Sequence, residues 1–170
     1  MAKTLIIWRL TVLFMAMSSF GMAEEKKMMF YMHDVVVGSN RTAVPVNIGS
    51  ITRLGFGAIV VIDDILTESS NPNSTRLGRA KGMYVSDSLD LTQPDVLLLV
   101  TVIFEEPPEY RGSTLCIHGA DTILKDQREV AIVGGTGKFR YARGSVVIST
   151  IETSLVANAV LQFNITFRMD

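Results

Sequence analysis

Leu161-Gln162-Phe163-Asn164-Ile165-Thr166-Phe167-Arg168 alternates apolar and polar residues without a break. Successive side chains of an extended chain point to opposite faces. Leu161, Phe163, Ile165 and Phe167 therefore share one face, and Gln162, Asn164, Thr166 and Arg168 the other. A period of two, rich in aromatic and β-branched residues, predicts a half-buried strand. Short runs of the same kind recur along the chain, separated by Gly, Pro, Asn and Asp. They predict strands over residues 29–36, 54–62, 78–86, 96–105, 113–118, 128–133, 144–152 and 158–168. No long stretch keeps apolar residues at helical spacing. So many short strands predict an all-β domain, a closed barrel or a sandwich. A barrel removes exposed edges, and one of eight strands can hold a single small ligand.

The bulk properties agree with one folded domain. The chain has 170 residues, 48% hydrophobic and 19% charged, which is enough apolar material for a core and too few charges for a disordered chain. A net charge of −1 offers no field for nucleic acid or an anionic membrane, and neither is expected as a partner. The N-terminal residues are of a different kind. Lys3 and Arg9 precede an apolar run from Leu10 to Met17, and the small residues Gly21 and Ala23 stand just before Glu24. That layout predicts a secretory signal peptide over 1–23, a domain over 24–170, and an extracellular protein without a membrane span once the leader is removed. Cys116 is the only cysteine, so the core must hold without an intramolecular disulfide, and an inert buried thiol is expected there. Asn40-Arg41-Thr42, Asn73-Ser74-Thr75 and Asn164-Ile165-Thr166 are candidate glycosylation sites.

Several chemistries lack their motifs. Gly134-Gly135-Thr136-Gly137-Lys138 resembles a phosphate loop, but Ile132 and Phe139 stand where such a loop needs Gly and Ser or Thr. A dinucleotide fingerprint fails too, with Arg140 at the third glycine position. The run is read as a turn joining two strands. Two histidines, His33 and His118, without paired-cysteine spacing give no expectation of a metal, and no cofactor is expected. What remains are charges set in strand-like sequence. Asp63-Asp64 reads as a solvated pair at a strand end. Asp34, Asp121 and Arg128 must be solvated at strand ends, paired or held in a pocket.

With these residues on the page, the chain resembles the plant dirigent family. Phe30-Tyr31-Met32-His33-Asp34 is similar to its opening F-Y-x-H-D, and Asp63-Asp64-Ile65-Leu66-Thr67 to its D-D-x-L-T. Leu77-Gly78-Arg79-Ala80-Lys81-Gly82-Met83-Tyr84 resembles V-G-R-A-Q-G-x-Y, and Tyr110-Arg111-Gly112-Ser113-Thr114-Leu115 resembles Y-N-G-S-T-L. Arg128-Glu129 through Ala142-Arg143-Gly144 is similar to R-E-x-x-x-V-G-G-T-G-x-F-R-x-A-R-G. The resemblance implies an eight-stranded antiparallel barrel, assembled as a homo-oligomer (a trimer before a dimer) and working in the apoplast. It implies stereocontrol of phenoxy-radical coupling or of quinone-methide reactions in phenolic biosynthesis, lignans among the products, with oxidation left to an external laccase or peroxidase. Two alternatives travel with it. One is a pterocarpan synthase-type lyase that dehydrates a 2'-hydroxyisoflavanol, and the other is a non-catalytic, defence-related phenolic-binding protein. By motif position the resemblance casts Asp34, Asp121 and Arg128 as catalytic, and Arg79, Tyr110 and Thr150 as substrate-binding. The absence of the cysteine pair typical of the lignan-forming branch points towards the branches that include pterocarpan synthases.

Overall fold

The computed structural model describes residues 24–46, 55–90, 92–153 and 158–169; the leader expected at 1–23 lies outside them. The chain forms β1 (Lys26–Asp34), β2 (Ala43–Pro45), β3 (Ile59–Thr67), β4 (Arg76–Ser86), β5 (Asp95–Phe104), β6 (Thr114–Thr122), β7 (Arg128–Thr136), β8 (Arg143–Thr153) and β9 (Ala159–Arg168). The sheet runs β1-β9-β8-β7-β6-β5-β4-β3, antiparallel throughout, and β1 pairs with β3 to close an eight-stranded barrel. The short β2 is extra. It pairs with Val60, Val61 and Ile62 of β3, while β1 takes Ile65, Leu66 and Thr67 on the same edge.

The predicted alternation sets what lies inside. Phe30 and Met32 of β1, Val60, Ile62 and Leu66 of β3, Leu98, Val100 and Val102 of β5, and Phe163, Ile165 and Phe167 of β9 are all buried. Phe30 and Phe163 stack across the β1–β9 pair with ring centroids 5.3 Å apart. One end of the barrel carries an aromatic plug. There Phe139, at the end of the 3₁₀ turn Gly137–Phe139, lies 4.9 Å from Phe104, 5.0 Å from Tyr110 and 5.6 Å from Phe167, centroid to centroid. Of the Gly134–Lys138 run, Gly134, Gly135 and Thr136 are the paired end of β7, and only Gly137 and Lys138 enter the 3₁₀ turn, where the Lys138 amide donates to Ser113 Oγ at 3.0 Å.

Three readings are corrected. The second predicted strand runs later, over Ile59–Thr67, so Asp63 and Asp64 sit in mid-strand and not at a strand end. The period of two carries through them: Val60, Ile62, Asp64 and Leu66 face inward and Asp63 outward. Cys116 is half-buried on the outer side of β6, with the inward places taken by Leu115 and Ile117.

Candidate functional site

Polar groups interrupt the apolar interior at the barrel end away from the plug. Asp121 is the last inward residue of β6 and Arg128 the first of β7, so the hairpin between them aims both side chains into the barrel. Both are buried, at 5% and 4% exposure. Arg128 Nε lies 2.8 Å from Asp121 Oδ1. The approach is charge to charge and off the N–H axis, so neither atom gains an aligned hydrogen bond. Arg128 Nη1 donates to Thr150 Oγ1 at 2.8 Å and to the Ile123 carbonyl at 3.2 Å. Thr150 stands on β8 at the exposed rim. Burial pushes the Asp121 carboxyl up from the ordinary carboxylate range; Arg128 pulls it back and Asp95 adds to the rise.

A second polar group lies on β1 and β3. Asp34 ends β1, is 6% exposed and sits opposite Ala159 of β9. The β1–β3 register, with His33 against Ile65, brings Asp34 beside Asp64. Asp64 is fully buried, and burial, reinforced first by the Asp34 charge, pushes its carboxyl to about 8. Asp63 adds slightly to that rise, while Thr42 and Arg79 lower it. The Thr42 hydroxyl lies near, yet neither Asp64 oxygen finds a hydrogen bond of good geometry among the described residues. Burial thus favours the neutral carboxyl of Asp64 over the carboxylate. Behind Asp34, His33 Nε2 lies 2.7 Å from Thr67 Oγ1, whose hydroxyl donates to the Ser69 carbonyl at 2.7 Å. Nε2 therefore carries the proton, and burial lowers the ring's basicity despite the counteracting Glu152 charge.

The structure thus gathers Asp121, Arg128 and Thr150 into one contact group and sets Asp34 inside the same barrel. Arg79 and Tyr110 do not join them. On β4 the inward places are Gly78, Ala80, Tyr84 and Ser86, so Arg79 points outward and is spent on Asp63, with Lys81 Nζ 3.7 Å from the other carboxylate oxygen. Tyr110 packs into the plug at the opposite end, its ring 5.9 Å from that of Phe104. Arg79 and Tyr110, expected as substrate-binding, thus stand apart from the inward group of Asp34, Asp121 and Arg128. Asp64, Tyr84, which is 8% exposed, and Ser86, at 2%, are inward polar residues the sequence reading passed over; the parity of their own strands is the signal for all three. Of the sequons, Asn40 and Asn73 lie exposed outside the strands, and Asn164 is exposed on the outer side of β9.

A closed eight-stranded antiparallel barrel with carboxyl and guanidinium groups turned into its interior defines the structural class. The particular family follows from comparison. The model of the Dirigent-like protein family matches residues 25–168. Dirigent protein 15 of Arabidopsis thaliana is 37% identical over 84% of this chain and 80% of its own length. Pterocarpan synthase 1 of Glycyrrhiza echinata is 39% identical over 76% of this chain and 71% of its own. The solved structure of the pterocarpan synthase dirigent protein GePTS1 superposes with a TM-score of 0.79 at 33% identity, covering 89% of this chain and 92% of that one. The chain belongs to the dirigent family. Pyocyanin demethylase, at 14% identity and a TM-score of 0.58, shares the fold alone.

Proposed function

We propose that the barrel binds a planar phenolic intermediate at its polar end and sets the stereochemistry of the bond that forms there. The carrying observation is the Asp121–Arg128 pair, buried at inward positions of the barrel, with Thr150 at the exposed rim accepting from Arg128. A quinone methide becomes more electrophilic when its carbonyl oxygen accepts a proton or hydrogen bond. Burial favours the protonated form of the Asp121 carboxyl and so makes it a better proton donor to that oxygen, and the guanidinium stabilises the phenolate charge that develops. The apolar walls decide which face of the guest stays open. A difference of about 1.4 kcal/mol between faces gives about tenfold preference, so a few contacts suffice. In the radical-coupling form of this reading, an external laccase or peroxidase makes the phenoxy radicals and the barrel only orients them.

The lyase form is favoured by similarity to two proteins named pterocarpan synthase, at 39% and 37% identity. In it, an acid proton passes to the leaving hydroxyl, the C–O bond breaks and water departs. The phenol oxygen then closes the ring on the carbon left behind, and its proton returns to the carboxylate. No oxidant is consumed. Incubation with racemic 2'-hydroxyisoflavanol alone, and with coniferyl alcohol plus laccase, separates the forms. Loss of water without oxidant supports the lyase, and enantiomeric excess only with laccase supports guidance of coupling. No effect in either leaves the non-catalytic phenolic-binding role.

Extracellular action after removal of the 1–23 leader and self-assembly belong to the same proposal. Self-assembly is supported by an exposed apolar rung on the outer face: Val61, Met83 and Leu99 are cross-strand neighbours on β3, β4 and β5 at 44%, 38% and 39% exposure. Native mass spectrometry reads the copy number directly, with three as the expectation.

A further inference from the structure

The barrel interior holds more acid than base. Asp34, Asp64 and Asp121 all occupy inward, buried positions, and Arg128 is the buried cation among the described residues. Arg128 is committed: its Nε faces Asp121, and Nη1 serves Thr150 and the Ile123 carbonyl. Around Asp64, β1 brings Asp34, and the segment before β2 brings Thr42. β3 itself carries Asp63, and β4 offers the apolar Ala80 opposite and Arg79 on the outer side, bound to Asp63. Two adjacent carboxylates shut away from water cannot both ionise at modest cost, and such a pair settles by sharing one proton.

We propose that Asp64 is a positioning residue that keeps one proton in common with Asp34, so that this side of the site presents one negative charge instead of two. The proposal deepens the reading of the site as a phenolic-binding one, and rests on it only for its effect on turnover. Asp64 is too deeply buried to meet a guest, whereas Asp34 ends its strand at the polar end of the barrel. A proton on the hidden partner lets Asp34 act as an acceptor or, when the proton moves across, as a donor, without a solvent path. The upward shift of Asp64 agrees with this arrangement. As in any coupled pair, the titration belongs to both carboxyls together.

The deciding measurement is infrared spectroscopy of the whole folded protein, following the carbonyl stretch of protonated carboxylic acid against pH. The expected result is such a band in wild type at pH 7, fading as the pH passes about 8 and missing from Asp64→Asn. Absence of the band from wild type at pH 7, or its survival in Asp64→Asn, overturns the proposal. Asp64→Leu, which removes the carboxyl at a fully buried inward position, serves in the same way should the Asn variant not fold. The second arm is turnover of 2'-hydroxyisoflavanol, or of coniferyl alcohol with laccase, as a function of pH. Wild type should lose rate on the alkaline side, and Asp64→Asn should lose that limb together with about tenfold in kcat while KM stays put. An unchanged kcat and pH profile in the variant overturns the positioning role. Failure of wild type on both substrates counts against the phenolic reading instead, and the infrared band still decides where the proton is.

Discussion

Asp121 and Arg128 neutralise one another inside an apolar wall, and removal of either leaves the other exposed to the full cost of burial. Arg128→Leu should therefore destabilise the fold by about 3–5 kcal/mol in chemical denaturation. Asp121→Asn keeps shape but leaves Arg128 without its counter-charge, so it should unfold at a lower Tm and, below that temperature, cut enantiomeric excess or product at least tenfold. Asp64 predicts a pH dependence of its own. Its carboxyl ordinarily ionises near 3.8 and is raised to about 8 in the fold. Between those values the folded chain holds a proton the unfolded chain has lost, so stability falls as pH rises through that window and levels off above it. At 1.36 kcal/mol per unit, the total is on the order of 5 kcal/mol. Asp64→Asn should flatten the fall, leaving the variant the more stable at pH 8.5 and about equal to wild type below pH 4; a variant Tm that tracks wild type across the range would contradict this. At this scale the sequence marked Asp34, Asp121 and Arg128 as charges that must be solvated, paired or held in a pocket, and the fold buries all three at inward positions. Asp64 was missed because two adjacent carboxylates look like solvated turn residues, and only the count Val60, Ile62, Asp64, Leu66 places the second one inside. The same count on β4 puts Tyr84 inside and Arg79 outside.

Single strands carry the next level of constraint. On β4, Gly78 and Gly82 lie so close to β5 that an added Cβ would run into the carbonyls of Ile103 and Leu99. Both residues have positive φ, 158° and 153°, and the backbone of Gly82 is one that L side chains rarely adopt. Gly82→Ala should cost about 2–4 kcal/mol, because backbone and not a flexible side chain must yield; thermal unfolding of the variant measures it. The alternating runs made the eight barrel strands readable without coordinates, most plainly β9. The ends of strands were less so. β3 was set too early because its apolar run Ile59-Val60-Val61-Ile62 stops at the carboxylates while the pairing with β4 continues to Thr67. β2, three residues long, is too short to show a period.

At the scale of the whole molecule the barrel has two unlike ends, aromatic and plugged at one, charged at the other. Phe139→Ala should remove about 3–5 kcal/mol of packing and lower Tm, while the chirality of product formed at the far end stays as in wild type. A change of enantiomer in that variant would place the guest against the plug and reopen the case for Tyr110. The outer rung Val61–Met83–Leu99 belongs to a third region, where Met83→Lys should lower the copy number seen by native mass spectrometry. Such outward apolar residues are hidden in a sequence reading, because a strand with both faces apolar gives no sign of which neighbour covers the outer one. The account stands most directly on chiral chromatography of the product made with wild-type protein and with Asp121→Asn. Wild type should give one enantiomer in excess, from 2'-hydroxyisoflavanol alone or from coniferyl alcohol with laccase, and the variant a near-racemate. Equal chirality from the two proteins would contradict it.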